Sequence, residues 1–295
     1  MNFIQNIFSK NHHLNLLEIV QKLENKSDTE RFKFIIDFLE ENEIGYEIQY
    51  YKTGSNIIVK TNQESRDKPF IGISSHFDVY PNSAGANDNG TAIAVCLDIL
   101  IRIKYEQEKN ANFLGELPFQ IRVFFFDEEE NKLKGSRAYV QEFGRWEIKR
   151  GEMLGLINLE MLGQGDRLAL WNLEESEKTG IVLETLEKTA KRNGIFTKRF
   201  DQIVTNSADH VSFKNAKLQD AFTITSLSDK DIEISKNYYK AQDEGASIMT
   251  LMDIIQKAPI FEHYHKPTDL SKFLNEKSMQ RVSSLIWQTL MNINL

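Results

Sequence analysis

The chain has 295 residues, 41% of them hydrophobic and 27% charged, with a formal net charge of -7. That length buries a sizeable core and the composition is that of an ordinary globular protein, while the negative balance argues against a nucleic-acid partner, which needs a basic surface. The single cysteine, Cys96, excludes an intramolecular disulfide, and without a Gly/Ser-rich linker or an internal repeat one domain over residues 1–295 is expected.

Residues 1–10 lack the basic-then-apolar order of a signal peptide. No run approaches the roughly 18 apolar residues of a membrane span. The expectation is therefore a cytoplasmic protein without a membrane partner. Residues 14–23 and 28–41 carry apolar side chains at helical spacing, with Ser27 and Glu30 forming a capping box for the second helix and Gly45 ending it. Two short strands, 46–51 and 56–60, come next around a turn at Thr53-Gly54. Residues 70–74, 119–126 and 154–159 are short, continuous apolar runs, the pattern of strands buried on both faces. Helical patterns at 91–104 and 136–142 separate them, and helices at 181–192 and 277–291 add outer layers. This rhythm predicts an α/β fold: a three-layer sandwich with a mixed, mostly parallel central sheet flanked by helices. Residues 226–260 read as polar and irregular, and 226–262 as a specificity or lid segment.

Each buried strand leads into polar chemistry. The first runs into His76-Phe77-Asp78, the second into Asp127-Glu128-Glu129-Glu130, and the third ends at Glu160. Ligands of open α/β sheets sit beyond the carboxyl ends of the strands. One acidic run alone is an ordinary solvated turn; recurrence at three strand ends crowds negative charge that a cation must compensate. Of six histidines, His12 and His13 read as exposed, whereas His76, His210, His263 and His265 stand among acidic or turn residues. Imidazole and carboxylate together suit zinc. The loop Gly85-Ala86-Asn87-Asp88-Asn89-Gly90 opens a helix, so Asp88 or Asn89 can serve as its N-cap, face a metal, or both.

The set His76-x-Asp78, Gly85-Ala86-x-Asp88-Asn89, Glu129-Glu130 before Gly135-Ser136, Asn158-Leu159-Glu160-Met161, Asp209-His210-x-x-Phe213 and Tyr264-His265 resembles the di-zinc aminopeptidases of the leucine aminopeptidase and glutamate carboxypeptidase type. The resemblance runs in order from about Gly54 to Asp269. It implies two zinc ions bridged by Asp88, with His76 and Glu160 completing one site and Glu130 and His265 the other. It implies Glu129 as general base, Asp78 as the residue orienting His76, and Tyr264 as a stabiliser of the tetrahedral intermediate. The family spacing back from Gly135 selects Glu130 as ligand; Glu128 is the alternative base if the loop is slipped. Glu160 stands where Asp is commonest, and Lys132 where Gly is usual. The implied activity is removal of N-terminal residues from peptide substrates. Two alternatives share the fold: a glutaminyl cyclase using one zinc, and a non-catalytic binding protein. The twelve positions from His76 to Asp88 match the compact spacing of the peptidases.

Overall fold

In the computed structural model, which describes residues 14–61, 67–171, 179–201 and 208–295, eight strands form one sheet. They are β1 (Glu47–Tyr50), β2 (Ser55–Lys60), β3 (Phe70–His76), β4 (Gln120–Phe126), β5 (Met153–Leu159), β6 (Arg167–Trp171), β7 (Thr197–Phe200) and β8 (Ala221–Leu227). The order is β1-β2-β4-β3-β5-β8-β6-β7. The centre, β4-β3-β5-β8, is parallel, as is the outer pair β6-β7; β1-β2, β2-β4 and β6-β8 are antiparallel. Register aligns the strand ends: His76 pairs with Phe126, and Ser74 with Asn158. The residues just beyond β3, β4 and β5 therefore emerge together at one edge of the sheet.

The helices are α1 (Leu16–Leu23), α2 (Asp28–Glu41), α3 (Thr91–Lys109), α4 (Phe113–Glu116), α5 (Lys134–Tyr139), α6 (Arg145–Lys149), α7 (Ile181–Arg192), α8 (His210–Asn215), α9 (Asp229–Asp243), α10 (Ile248–Ile255) and α11 (Glu276–Asn292). Alternation along β4 divides the core. Ile121, Val123 and Phe125 face the large apolar layer built with α1, α2, α3, α7 and α11. Phe124 and Phe126 face a smaller layer with Tyr139 and Phe213. Period-two side-chain geometry is the cause. A third cluster joins Ala169, Phe200 and Leu227 to Ile232 and Tyr238 of α9 and to Leu251 and Ile255 of α10.

The expected three-layer architecture is present, and the five expected strands lie within a few residues of their predicted bounds. The Ser27–Glu30 capping box forms, although α2 stops at Glu41, ahead of Gly45. Residues 226–260 are a correction. They hold the end of β8 and two helices, and the Ser228–Asp231 capping box starts the first. Among the described residues no helix is long and apolar enough to cross a membrane. The expectations for residues 1–10, His12 and His13 fall outside the described residues.

Candidate active site

Asp78, two residues beyond β3, organises one side of the crevice. Its carboxylate accepts hydrogen bonds from the Glu129 and Glu130 amides at 2.9 and 3.0 Å. His76 Nδ1 lies 3.1 Å from the Asp78 carbonyl oxygen and 3.2 Å from its Oδ1. One residue thus orients the imidazole and ties the loop after β4 to it. Glu160 stands directly after β5 and accepts from Asn89 Nδ2 at 2.7 Å and from Asn158 Nδ2 at 3.2 Å.

The loop before α3 supplies the fourth group. Gly85 has φ +68°, and a Cβ there would sit 2.2 Å from Arg31 Nη2. Glycine is therefore required both by conformation and by space. The Asn87 and Asp88 amides donate to the Asp269 carboxylate at 2.9 and 3.0 Å, and the Asp88–Asn89 peptide is cis. No side chain caps α3. Asn89 is spent on Leu159 O and Glu160, so Asp88 is left to face the crevice.

The residues singled out in the sequence come together here. His76 Nε2 lies 3.3 Å from Asp88 Oδ1 and 3.3 Å from Glu160 Oε2. His265 Nε2 lies 3.4 Å from Asp88 Oδ2 and 3.1 Å from Glu130 Oε2. Within His76–Asp88–Glu160, and again within Asp88–Glu130–His265, the donor atoms all fall within 4.8 Å of one another. Asp88 offers one oxygen to each group. Asp88 Oδ2, Glu130 Oε1 and His265 Nε2 are buried without a hydrogen-bond partner. Such orphaned atoms are costly, and a cation held by Asp88, Glu130 and His265 would supply the missing partner. The mixed imidazole and carboxylate donors fit zinc. Glu129 and Tyr264 line the same crevice. Glu128 turns away: it has φ 52°, and its carboxylate takes Lys134 Nζ at 2.8 Å and the Thr53 hydroxyl.

Crowding shows in the electrostatics. Burial pushes Glu129 well above the usual carboxylate range and Glu130 up to about 7. Burial would lift Asp88 too, but His265 and His76 hold it below its ordinary value. Burial would lower both imidazoles. Glu160 and then Asp78 and Asp88 raise His76 well above its ordinary value, and Asp88 and Glu130 raise His265 to about 9.

Several neighbours were not visible in the sequence. Arg31 of α2 is fully buried and donates to Gly85 O at 2.7 Å, with carboxylates of Asp88, Asp269, Asp28 and Asp78 around it. Asp209 stood in a recognised motif without a role; its carboxylate is buried, and that burial raises it to about 7. Tyr80 stacks on His265. Beyond the donor groups the crevice continues as an apolar pocket lined by Met161, Trp171, Leu227, Ile255, Ile260 and Phe261.

The profile of Peptidase family M28 matches residues 56–290. The chain belongs to this family. Among curated relatives, the vacuolar membrane protease of Candida glabrata is 29% identical over 238 residues, which are 80% of this chain and 22% of that protein. Aminopeptidase YwaD of Bacillus subtilis is 28% identical over 199 residues, 66% of this chain and 40% of that one. The chain thus spans well under half the length of these two relatives. Among solved structures, the zinc aminopeptidase BSAP of Bacillus subtilis has a TM-score of 0.59 at 21% identity, covering 80% of this chain and 49% of that one. The glutaminyl cyclase of Porphyromonas gingivalis has a TM-score of 0.67 at 16% identity, covering 97% and 98%. These likenesses establish the fold and, since they include both activities, do not choose between them.

Proposed function

We propose that the protein is a zinc-dependent aminopeptidase with two metal sites, His76–Asp88–Glu160 and Asp88–Glu130–His265. The observation that carries this reading is the pair of three-donor groups sharing Asp88, with Glu129 beside them and, among the described residues, in no ion pair with a Lys or Arg. Zinc held by these residues would polarise a carbonyl and acidify a water. Glu129 takes the proton from the attacking water and passes it to the leaving amine as the C–N bond breaks and the C–O bond forms. The Tyr264 hydroxyl donates to the developing oxyanion. Glu129 or Glu160 holds the free substrate ammonium, which favours attack at the first peptide bond.

The pocket bears on which substrate enters. Several of its polar side chains already have partners. Trp171 Nε1 donates to Thr225 Oγ1 at 2.9 Å, and Ser235 Oγ donates to Ile232 O at 2.7 Å. Asp231 accepts from Ser228 and from the Ile260 amide. An apolar first side chain suits such walls better than a glutaminyl amide, which would meet few free polar partners there. This favours the peptidase over the cyclase. Zinc-loaded protein incubated with a mixed peptide library, read by mass spectrometry, tests the reading. Stepwise loss of apolar N-terminal residues is expected. Ammonia loss confined to Gln-initiated peptides would make the protein a cyclase, and an untouched library would defeat both.

A further inference from the structure

The two histidines of the crevice are held by different means. A metal-bound imidazole ordinarily donates its second ring nitrogen to a carboxylate or carbonyl, which fixes the ring. His76 obeys this through Asp78. Among the described residues no hydrogen bond reaches His265 Nδ1. His265 lies instead between two aromatic rings. The Tyr80 ring stacks on one face, with centroids 3.8 Å apart and planes 5° from parallel. The Tyr264 ring covers the other, at 3.6 Å and 24°. His265 has φ 59° and lies outside any helix or strand.

We propose that Tyr80 is a positioning residue for the Asp88–Glu130–His265 site. Its ring, with Tyr264 opposite, fixes the imidazole plane so that Nε2 points at Asp88 and Glu130, and thereby sets how tightly the second ion is held. Tyr80 lies two positions past Asp78 on the loop after β3, so the stack also ties the segment bearing His265 to the segment bearing His76. The inference rests on the two-metal reading. It deepens that reading by naming a residue that controls one site and leaves the other alone.

The test uses the full chain and two readouts. In metal-free protein, ring currents from flanking tyrosines shift the His265 ring protons upfield in NMR spectra, with assignment by His265→Ala. That shift is expected to diminish in Tyr80→Ala and Tyr80→Leu and to persist in Tyr80→Phe. Zinc titration against a chromogenic chelator is the second readout. Wild type is expected to bind two ions. Tyr80→Ala and Tyr80→Leu should weaken one of them by about tenfold or more, the usual cost of losing a residue that orients a ligand. The other ion should be unaffected, and Tyr80→Phe should match wild type. Tyr80 is 39% exposed, and thermal unfolding of the metal-free variants verifies that they fold. Two ions bound with wild-type affinity by Tyr80→Ala would overturn the inference and leave the two-metal reading intact. A single ion in wild type, indifferent to His265→Ala, would overturn that reading and the inference with it.

Discussion

Glu129 is the residue on which the proposed chemistry turns, and its neighbours separate its role from metal binding. Two three-donor groups, His76–Asp88–Glu160 and Asp88–Glu130–His265, are complete without it, although Glu129 also falls within a third with His76 and Glu130. Glu129→Gln is therefore expected to keep wild-type zinc content while kcat falls by roughly 10²–10⁴-fold, the usual worth of a general base. Metal analysis beside steady-state kinetics decides this; turnover near wild type would move the base elsewhere. Arg31 makes a different point. It is a fully buried cation facing Asp88, Asp269, Asp28 and Asp78. Arg31→Met leaves those carboxylates without their counter-charge and Gly85 O without its donor, and is expected to destabilise the fold by about 1–3 kcal/mol. The loss should be larger in metal-free protein than in zinc-loaded protein, because the ions replace the missing charge. Denaturant unfolding with and without zinc measures both.

At the scale of elements, the sequence is legible where local pattern determines the structure. Runs such as Phe124-Phe125-Phe126 announce a strand buried on both faces, and the polar residues just beyond such runs must then emerge at the sheet edge. His76, Glu130 and Glu160 are legible for that reason. Strand β7, with Lys198 and Arg199 at its centre and only Phe200 buried, carries no such pattern. Helices α9 and α10 look irregular in the sequence because few of their side chains face the core, although Ser228 and Asp231 are an available start signal. Arg31, Tyr80 and Asp269 act across the fold, on partners 54, 185 and 181 positions away; no local pattern encodes such contacts. The segment holding α9 and α10 walls the pocket, and that gives a prediction. Ala258 is 2% exposed and lines the pocket after α10. Ala258→Phe should lower kcat/KM for Leu- or Phe-initiated peptides by roughly 10–100-fold, the range hydrophobic pockets discriminate. Ala-initiated peptides should be much less affected. Equal losses on all substrates would place the first side chain outside this pocket.

For the whole molecule, the concentration of carboxylates at one sheet edge couples folding, protons and metal. In metal-free protein Glu130 and Asp209 are raised to about 7 and Asp127 and Asp269 to about 6, each chiefly by burial. Their folded forms bind more protons than the unfolded chain between the ordinary carboxylate range and pH 7, so stability falls as pH rises through that window. His265 acts in the same direction a little higher. Its folded value of about 9 means that its contribution is complete below about 6.5 and is lost as pH rises through 9. Asp88, held low by His265 and His76, works oppositely, but its contribution is present throughout this range and is lost only in acid. The raised groups outnumber His210, which burial holds down to about 3 and which opposes them below about 6.5, so the metal-free protein should lose thermal stability from pH 5 to pH 9. Zinc is expected to reverse the trend, because carboxylates and imidazoles bind it only after releasing their protons, so affinity climbs across the same interval. A ligand at a thousand times its Kd adds about 4 kcal/mol. Melting curves with zinc and with chelator, taken at steps between pH 5 and pH 8, should show a gap in Tm that widens with pH. A gap that stays constant or narrows would mean that the groups at this edge are not the ones that hold the metal.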